Sequence, residues 1–223
     1  MSALFSDRLD AAKRLAADLA DYAGRNPLVL AIPRGAVPMA NDIAHRLGGE
    51  LDIILVRKIG APFNPEYAMG AVAESGHAWM TPASRGLHLS EREIEFQKTR
   101  QLEVLKARRA LYTPSRTPVD PRGRIVIVVD DGLATGATMT AALHAVRAQH
   151  PAELVCAVPV AASESLEGVA PLADRVVCPF VFDDFNSVGQ YYRHFEQVED
   201  AEVIAILAAQ RRSPAAPPSG APS

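Results

Sequence analysis

Two adjacent carboxylates, Asp130 and Asp131, stand between a run of β-branched residues and a segment of small residues and threonines. The whole segment, residues 128–139, reads VVDDGLATGATM. Small residues allow backbone amides to converge on an anion, a following helix N-terminus adds about half a positive charge, and threonine hydroxyls can donate. The order predicts a phosphate cradle made of Ala134, Thr135, Gly136, Ala137 and Thr138.

The acidic pair would repel a bare phosphate, so we expect it to face a group that is attached to the phosphate. A ribose fits, because its 2- and 3-hydroxyls can each donate to a carboxylate while a divalent cation bridges the remaining charge. Two other interpretations stay open: a turn that only caps a helix, and a metal site built on the acidic pair alone. The spacing differs from the Walker loop and from Gly-x-Gly-x-x-Gly, which disfavours those phosphate binders.

The segment resembles the phosphoribosyl diphosphate signature of type I phosphoribosyltransferases, and the order of elements supports this over about residues 25–185. The resemblance implies that Asp130 and Asp131 hold the ribose hydroxyls and that residues 134–138 hold the 5-phosphate. It also implies Mg²⁺, bound mainly through the diphosphate of the donor. These enzymes carry a pyrophosphate loop after the first sheet strand, where this chain has Pro33, Arg34, Gly35 and Ala36. Arg34 would neutralise leaving charge there, unless it only faces water at a strand end.

Further candidates follow the second predicted strand. Arg57 and Lys58 resemble the basic pair of adenine phosphoribosyltransferases and suit the diphosphate or the base pocket, although a solvated strand end would look the same. Residues 59–82 carry many glycines and prolines, and we interpret them as a mobile flap that excludes water from the reacting centre. Glu66 in this flap is an acid/base candidate by a faint resemblance to the adenine enzymes, or is simply exposed.

The acceptor side is less specified. The 6-oxopurine enzymes carry a carboxylate directly before the Thr-Gly pair, where this chain has Ala134, so a hypoxanthine or guanine acceptor loses support. A hood over about residues 180–197 offers aromatic rings that either stack on a base or belong to the core. Residues 182–196 also resemble a bacterial group of predicted phosphoribosyltransferases of unassigned acceptor. The aromatic candidates are Phe182, Phe185, Tyr191, Tyr192 and Phe195.

Strand and helix patterns alternate along the chain and predict an α/β fold with a mostly parallel central sheet flanked by helices. We expect one domain over residues 1–212, with a small hood, a long inserted helix over about 90–112, and a disordered tail over 213–223. The predicted helices span residues 4–23, 36–47, 90–112, 137–149, 163–172 and 198–210. The predicted strands span 28–32, 51–56, 125–129, 154–160 and 175–180.

Composition limits the remaining function classes. The net charge of −3 argues against broad capture of nucleic acid, which needs a basic excess. The N-terminus lacks the apolar run of a signal peptide and no membrane span is evident, so we expect a cytoplasmic protein. Cys156 and Cys178 lie in apolar runs and are interpreted as buried reduced thiols.

These observations predict a pentosyltransferase that moves 5-phosphoribosyl from phosphoribosyl diphosphate to a nitrogenous base, with Mg²⁺ and release of diphosphate. Its partners would be the donor and a small base or nucleotide, with a homodimer possible. The alternative is a non-catalytic regulator that binds phosphoribosyl diphosphate or a nucleotide on the same fold. A metal-dependent phosphohydrolase is disfavoured, because no further carboxylate or histidine cluster accompanies the acidic pair.

Overall fold

Five parallel strands form the central sheet of the computed structural model, which describes residues 3–61, 64–81, 84, 86, 90–114 and 116–210, with only the backbone for 64–68. In chain order these strands are β1 (Leu28–Ala31), β2 (Glu50–Ile53), β6 (Ile125–Val129), β7 (Glu153–Ala157) and β9 (Arg175–Val177). Their order across the sheet is β2-β1-β6-β7-β9. The chain leaves β1 towards one edge and β6 towards the other, so the loops after these two neighbours diverge and leave a crevice.

Helices cover both faces of this sheet and confirm the predicted α/β architecture. Side chains of β6 alternate, so that Ile127 and Val129 pack on one face while Val126 and Val128 pack on the other. All four are fully buried, as expected for a parallel strand between two helical layers. The helices are α1 (Arg8–Asp18), α2 (Ala36–Leu47), α3 (Glu91–Tyr112), α4 (Ala137–Arg147), α5 (Ser163–Val169) and α6 (Asp200–Ala209).

Local capping signals fix two helix starts. Ser90 and Glu93 form the predicted capping box at the start of α3, with each side chain accepting from the backbone N–H of the other. The first helix was expected from residue 4, yet α1 begins at Arg8 because Asp7 accepts from the Asp10 N–H and caps it. The backbone N–H groups of Leu4 and Phe5 instead donate to the Tyr191 carbonyl.

The many glycines and prolines of the predicted flap indicate a long loop, and this interpretation is wrong, because the segment contains a three-stranded antiparallel sheet. It consists of β3 (Val56–Ala61), β4 (Asn64–Ala73) and β5 (Ala78–Met80). The predicted strand over 51–56 is accordingly divided between β2 and β3. Gly70 in β4 explains part of the error, because a Cβ there would overlap the Trp79 carbonyl of β5. That glycine permits close strand pairing and does not break the strand.

Two further predicted strands end early at prolines. The expected strand over 154–160 divides into β7 and β8 (Val160–Ala162), and the one over 175–180 into β9 and β10 (Phe180–Phe182). Pro159 and Pro179 lie at the breaks, and proline has no N–H to donate to a sheet ladder. β8 and β10 pair in parallel as a separate small sheet at the predicted hood.

Both cysteines are free thiols, as predicted, but only Cys156 is buried, whereas Cys178 is partly exposed. Burial raises the pKa of Cys156 to about 12 and that of Cys178 to about 11. The predicted tail over 213–223 lies outside the described residues. Among the described helices, none combines the length and the apolar character needed to cross a membrane.

Candidate active site

The two predicted loops meet at the carboxyl ends of β1 and β6. Ile32 N–H donates to the Val129 carbonyl at 3.0 Å, so the strands remain paired up to the point where both loops begin. Gly35, in the turn after β1, lies against the Asp131 carboxylate so closely that a Cβ at Gly35 would overlap it. The peptide bond between Pro33 and Arg34 in this turn is cis. The predicted pyrophosphate turn and the acidic pair therefore share one crevice.

In each carboxylate of the acidic pair, one oxygen accepts hydrogen bonds from the protein. The Asp131 N–H donates to Asp130 Oδ1 at 2.9 Å. Asp131 Oδ2 accepts from Arg8, whose Nε and Nη2 both lie at 2.9 Å. Within the part of the chain that the structure describes, the second oxygen of each carboxylate has no hydrogen bond. One oxygen on each aspartate is thus left to accept from a ligand.

Burial makes this acidic pair electrostatically costly. Burial raises the pKa of Asp130 well above its usual value, and the neighbouring charge of Asp131 raises it further. Burial also raises the pKa of Asp131, while the Arg8 guanidinium acts against that rise. The Tyr192 hydroxyl donates to the Asp131 carbonyl at 2.6 Å, and burial raises the pKa of this phenol. The backbone beneath the pair is therefore held from a second side.

The segment predicted as a phosphate cradle forms a turn that leads into α4. Gly136 adopts a left-handed conformation with φ of 72° immediately before α4, and Ser165 Oγ donates to the Ala134 carbonyl at 2.5 Å. Among the described residues, the hydroxyls of Thr135 and Thr138 have no partner. The amides at the start of a helix have no partner within the helix. An exposed helix start results, lined by Ala134, Thr135, Ala137 and Thr138 around the buried Gly136.

Arg34 is turned towards the last helix. Its Nη1 lies 3.5 Å from Asp200 Oδ1 and 3.9 Å from Glu199 Oε2, at the start of α6. Asp200 also accepts from the Tyr112 hydroxyl at 2.6 Å, and this hydrogen bond and Arg34 lower the pKa of Asp200. Arg34 therefore sits beside the crevice, with its charge already paired at the surface.

The basic pair of β3 is divided. Arg57 Nε donates to Gln101 Oε1 of α3 at 2.7 Å, and Arg57 lines a cavity of about 90 Å³ together with Pro33 and Thr138. Neighbouring residues of a strand point to opposite faces, so Lys58 does not share this position. Glu66 belongs to β4, and its side chain lies outside the described part of the structure. Of the three candidates Arg57, Lys58 and Glu66, Arg57 is therefore the one that the structure places beside the two loops.

The hood aromatics pack on one another, which favours the core interpretation for these rings. Phe182 stacks on Tyr191 with ring centroids 4.6 Å apart, and Tyr192 stacks on Phe195 at 4.8 Å. Phe185 lies 5.0 Å from Tyr191. The buried Tyr192 is consequently part of the support beneath the acidic pair, while the buried Tyr191 packs within the hood.

Sequence reasoning missed Arg8. It lies 123 positions before Asp131, and no local motif connects the two. The one available signal was electrostatic, since a cation in the first turn of a helix opposes the helix dipole. Such a conflict marks a residue that is held in place for another reason.

Neither a protein-only metal cluster nor the cavity beside Arg109 coincides with this site. Within the described residues, no three His, Cys, Asp or Glu side chains group as a metal site. Mg²⁺ prefers several oxygen ligands, and the acidic pair alone supplies too few, so the ion would be held mainly by oxygens of a bound ligand. A cavity of about 590 Å³ lies elsewhere, beside Arg109 and Thr113, and includes no residue of the two loops.

Comparison with known proteins gives consistent matches. The family described as "Phosphoribosyl transferase domain" matches residues 3–196. Two Mycobacterium tuberculosis proteins, "Putative phosphoribosyl transferase MT0597" of strain CDC 1551 / Oshkosh and "Putative phosphoribosyl transferase Rv0571c" of strain H37Rv, are each 41% identical over 205 residues. These matches cover 92% of this chain and 46% of each relative, so the chain spans about half their length. The crystal structure of TT1426 from Thermus thermophilus is 44% identical, with a TM-score of 0.84, covering 92% of this chain and 98% of that one.

Proposed function

Since this chain belongs to the phosphoribosyl transferase family, we propose that it binds 5-phosphoribosyl 1-diphosphate with Mg²⁺ and transfers the phosphoribosyl group to a nitrogenous base, releasing diphosphate. The observation that carries the proposal is the crevice between β1 and β6. There, two partly buried carboxylates, each with one oxygen that the described residues leave open, stand beside an exposed helix N-terminus. Within the described part of the chain, the hydroxyls of Thr135 and Thr138 at this helix start have no partner.

The roles follow the donor from its sugar to its leaving group. The open oxygens of Asp130 and Asp131 accept from the ribose hydroxyls, and residues 134–138 receive the 5-phosphate at the start of α4. These contacts position the sugar and transfer no proton. As the bond from C1 to the diphosphate oxygen breaks, positive charge develops at C1. The base nitrogen forms its bond to C1 and gives up its proton to water, so the products are the nucleotide, diphosphate and a proton.

The leaving diphosphate needs cations on the other side of the crevice. Bound Mg²⁺ would neutralise part of this charge. Arg34 reaches the diphosphate after its ion pair with Asp200 breaks. This pair is long, at 3.5 Å, and partly exposed, and it is therefore weak. Arg57 lies beside Pro33 and Thr138 and can approach the same charge, whereas Lys58 and Glu66 keep the roles predicted from the resemblance.

We assign the regions of the chain accordingly. Residues 1–212 form one unit, in which the β3–β5 sheet is the flap that excludes water and α3 is the inserted helix. The β8–β10 sheet with residues up to 197 forms the hood. Ala134 disfavours a 6-oxopurine acceptor, so the base stays unassigned. A homodimer and a cytoplasmic location stay predictions from the sequence.

The test is diphosphate release in the presence of the donor, Mg²⁺ and a panel of nitrogenous bases. Release that depends on one base identifies the acceptor and supports a transferase. A thermal-shift assay with the donor runs beside it, because a ligand at about 100 times its Kd stabilises the native state by about 2.7 kcal/mol. Donor binding without turnover on any base would assign the non-catalytic regulator. No thermal shift with the donor would contradict both.

A further inference from the structure

Arg8 joins four separate segments at the acidic pair. Its Nε and Nη2 donate to Asp131 Oδ2, its Nη1 donates to the Glu196 carbonyl at 2.7 Å, and its guanidinium lies 3.8 Å from the centre of the Phe195 ring. The position that a Cβ would take on Gly35 is 3.3 Å from Arg8 Nε. The start of α1, the turn after β1, the acidic loop and the hood therefore converge on this one side chain.

The position of Arg8 is energetically unfavourable by itself. Arg8 occupies the first position of α1, where the helix dipole disfavours a cation, and only 13% of its side chain is exposed. A guanidinium removed from water needs charge-assisted hydrogen bonds to offset its desolvation. Arg8 donates such hydrogen bonds to Asp131, a residue of the site, and to a hood carbonyl. The arginine is thus built into the site.

The contact also divides the two oxygens of Asp131. Both Arg8 donors converge on Oδ2, and the other oxygen is the one that the described residues leave open. We propose that Arg8 is a positioning residue for sugar recognition, which fixes Oδ2 of Asp131 so that the remaining oxygen accepts from a ribose hydroxyl. This inference rests on the proposed function and extends it to a residue far outside the signature segment.

Charge balance supports the same role. The ionisable groups that face Asp131 are Arg8, the neighbouring Asp130 and the Tyr192 phenol, which donates to the backbone below. Burial raises the pKa of both aspartates, and Arg8 is the cation that lowers both. Removing Arg8 would raise the pKa of Asp131 further, so that the pair would take up a proton at higher pH and lose an acceptor.

The experiment compares Arg8→Gln and Arg8→Lys with the full-length wild-type chain. Arg14→Gln is the matched control, because Arg14 lies on the same helix and forms an exposed pair with Asp18. Calorimetric titration with phosphoribosyl diphosphate and Mg²⁺ over about pH 5.5 to 8.5 gives Kd and its pH dependence. We expect Arg8→Gln to weaken binding about 10-fold or more at neutral pH and to shift the pH profile upwards. Arg14→Gln should match the wild type.

Arg8→Lys separates charge from geometry. An ammonium keeps the positive charge but lacks the planar fork and its stacking, so we expect a wild-type pH profile with binding about 10-fold weaker. This variant also decides the matter if Arg8→Gln does not fold. Wild-type affinity in Arg8→Lys would overturn the proposed geometric role. Wild-type affinity and pH profile in Arg8→Gln would overturn the whole inference.

A ligand-free measurement keeps this inference distinct from the proposed function. The ¹³C signal of the Asp131 carboxyl, assigned with Asp131→Asn, reports its titration without any donor. We expect the titration to move to higher pH in Arg8→Gln, and an unchanged titration would overturn the electrostatic role of Arg8. Failure of the wild type to bind donor would instead overturn the proposed function, whatever the carboxyl titration shows.

Discussion

Gly35 shows how closely the two loops of the crevice are fitted. Its φ of −55° and ψ of −37° suit any amino acid, so backbone freedom does not require glycine here. The requirement is space, because the Asp131 carboxylate occupies the position of a Cβ. The glycine is therefore explained by its neighbour in the adjoining loop.

We predict that Gly35→Ala weakens donor binding about 10-fold or more while the fold persists. The new methyl group would displace the Asp131 carboxylate and break its contact with Arg8. Gly168→Ala in α5 is the control, since a Cβ at Gly168 meets nothing within 4 Å. Calorimetric titration measures both variants, and equal affinities for the donor would contradict the fitted crevice.

The ionised Asp130 carboxylate that the proposed function needs lowers the stability of the folded chain. Its folded-state pKa is raised, so the ionised carboxylate costs stability at neutral pH, and that cost disappears as the pH falls through the raised pKa towards the unfolded value. Sites that hold buried like charges commonly trade stability for activity in this way.

We predict that Asp130→Asn raises the free energy of unfolding at neutral pH by about 1 kcal/mol and weakens donor binding. The amide oxygen can still accept from the Asp131 N–H, so the loop keeps its shape. Asp184→Asn, in the exposed pair Asp183 and Asp184, should change neither quantity. Thermal unfolding at several pH values tests this, and a variant less stable than the wild type at neutral pH would contradict the assigned cost.

At the level of elements, a buried arginine joins α3 to the central sheet. Arg109 donates from Nη1 to Asp52 at 2.8 Å, from Nη2 to the Ile53 carbonyl at 2.8 Å, and from Nε to Glu74 at 2.6 Å. Its Nη2 also forms an ion pair with Glu74. Asp52 is 1% exposed, so this cluster is a buried network whose charges depend on one another.

We predict that Arg109→Met lowers the free energy of unfolding by about 3 to 5 kcal/mol, because it leaves two carboxylates of a buried network without their cation. Arg100→Met, at an exposed position of the same helix, should have little effect. Urea denaturation measures the difference. A loss in Arg109→Met no larger than that of the control would show that α3 is held in another way.

The flap sheet and the phosphate helix meet at Trp79 and His144. Trp79 of β5 stacks on His144 of α4, with ring centroids 4.7 Å apart and planes 15° from parallel. Burial lowers the pKa of His144, and His77 lowers it further. The imidazole is therefore neutral at neutral pH and becomes charged only in acid.

We predict that the emission of Trp79, the single tryptophan of the chain, is quenched as His144 takes up a proton, with a midpoint below about pH 6.5. Because the folded-state pKa is depressed, His144 also costs stability as the pH falls through its unfolded value. Fluorescence titration measures the midpoint. His144→Gln should remove the transition, whereas its persistence in that variant would separate the two rings.

At the scale of the whole molecule, strong local signals predicted most of the architecture. The β-branched residues 125–129 gave the buried central strand, and Ser90 with Glu93 gave the start of α3. The errors occurred where tertiary contacts decide. Glycine usually weakens a strand, yet Gly70 permits β5 to approach β4. Pro159 and Pro179 interrupt the two predicted strands, and β8 and β10 pair in a separate small sheet.

The candidate site likewise has a part that the sequence predicts and a part that depends on tertiary contacts. Residues 130–138 are contiguous, so their order alone predicted a carboxylate pair beside an anion cradle. The pairing of Asp131 with Arg8, of Arg34 with Asp200, and of Arg57 with Gln101 all join distant parts of the chain. No local pattern encodes such contacts, because they depend on how the helices dock on the sheet.

The most direct test of the central claim is a calorimetric titration of the chain with 5-phosphoribosyl 1-diphosphate in the presence of Mg²⁺. We predict saturable binding at one site per chain, weakened about 10-fold or more by Asp131→Asn. Binding that is absent, or that Asp131→Asn leaves unchanged, would contradict the assignment of the acidic pair to the ribose of the donor.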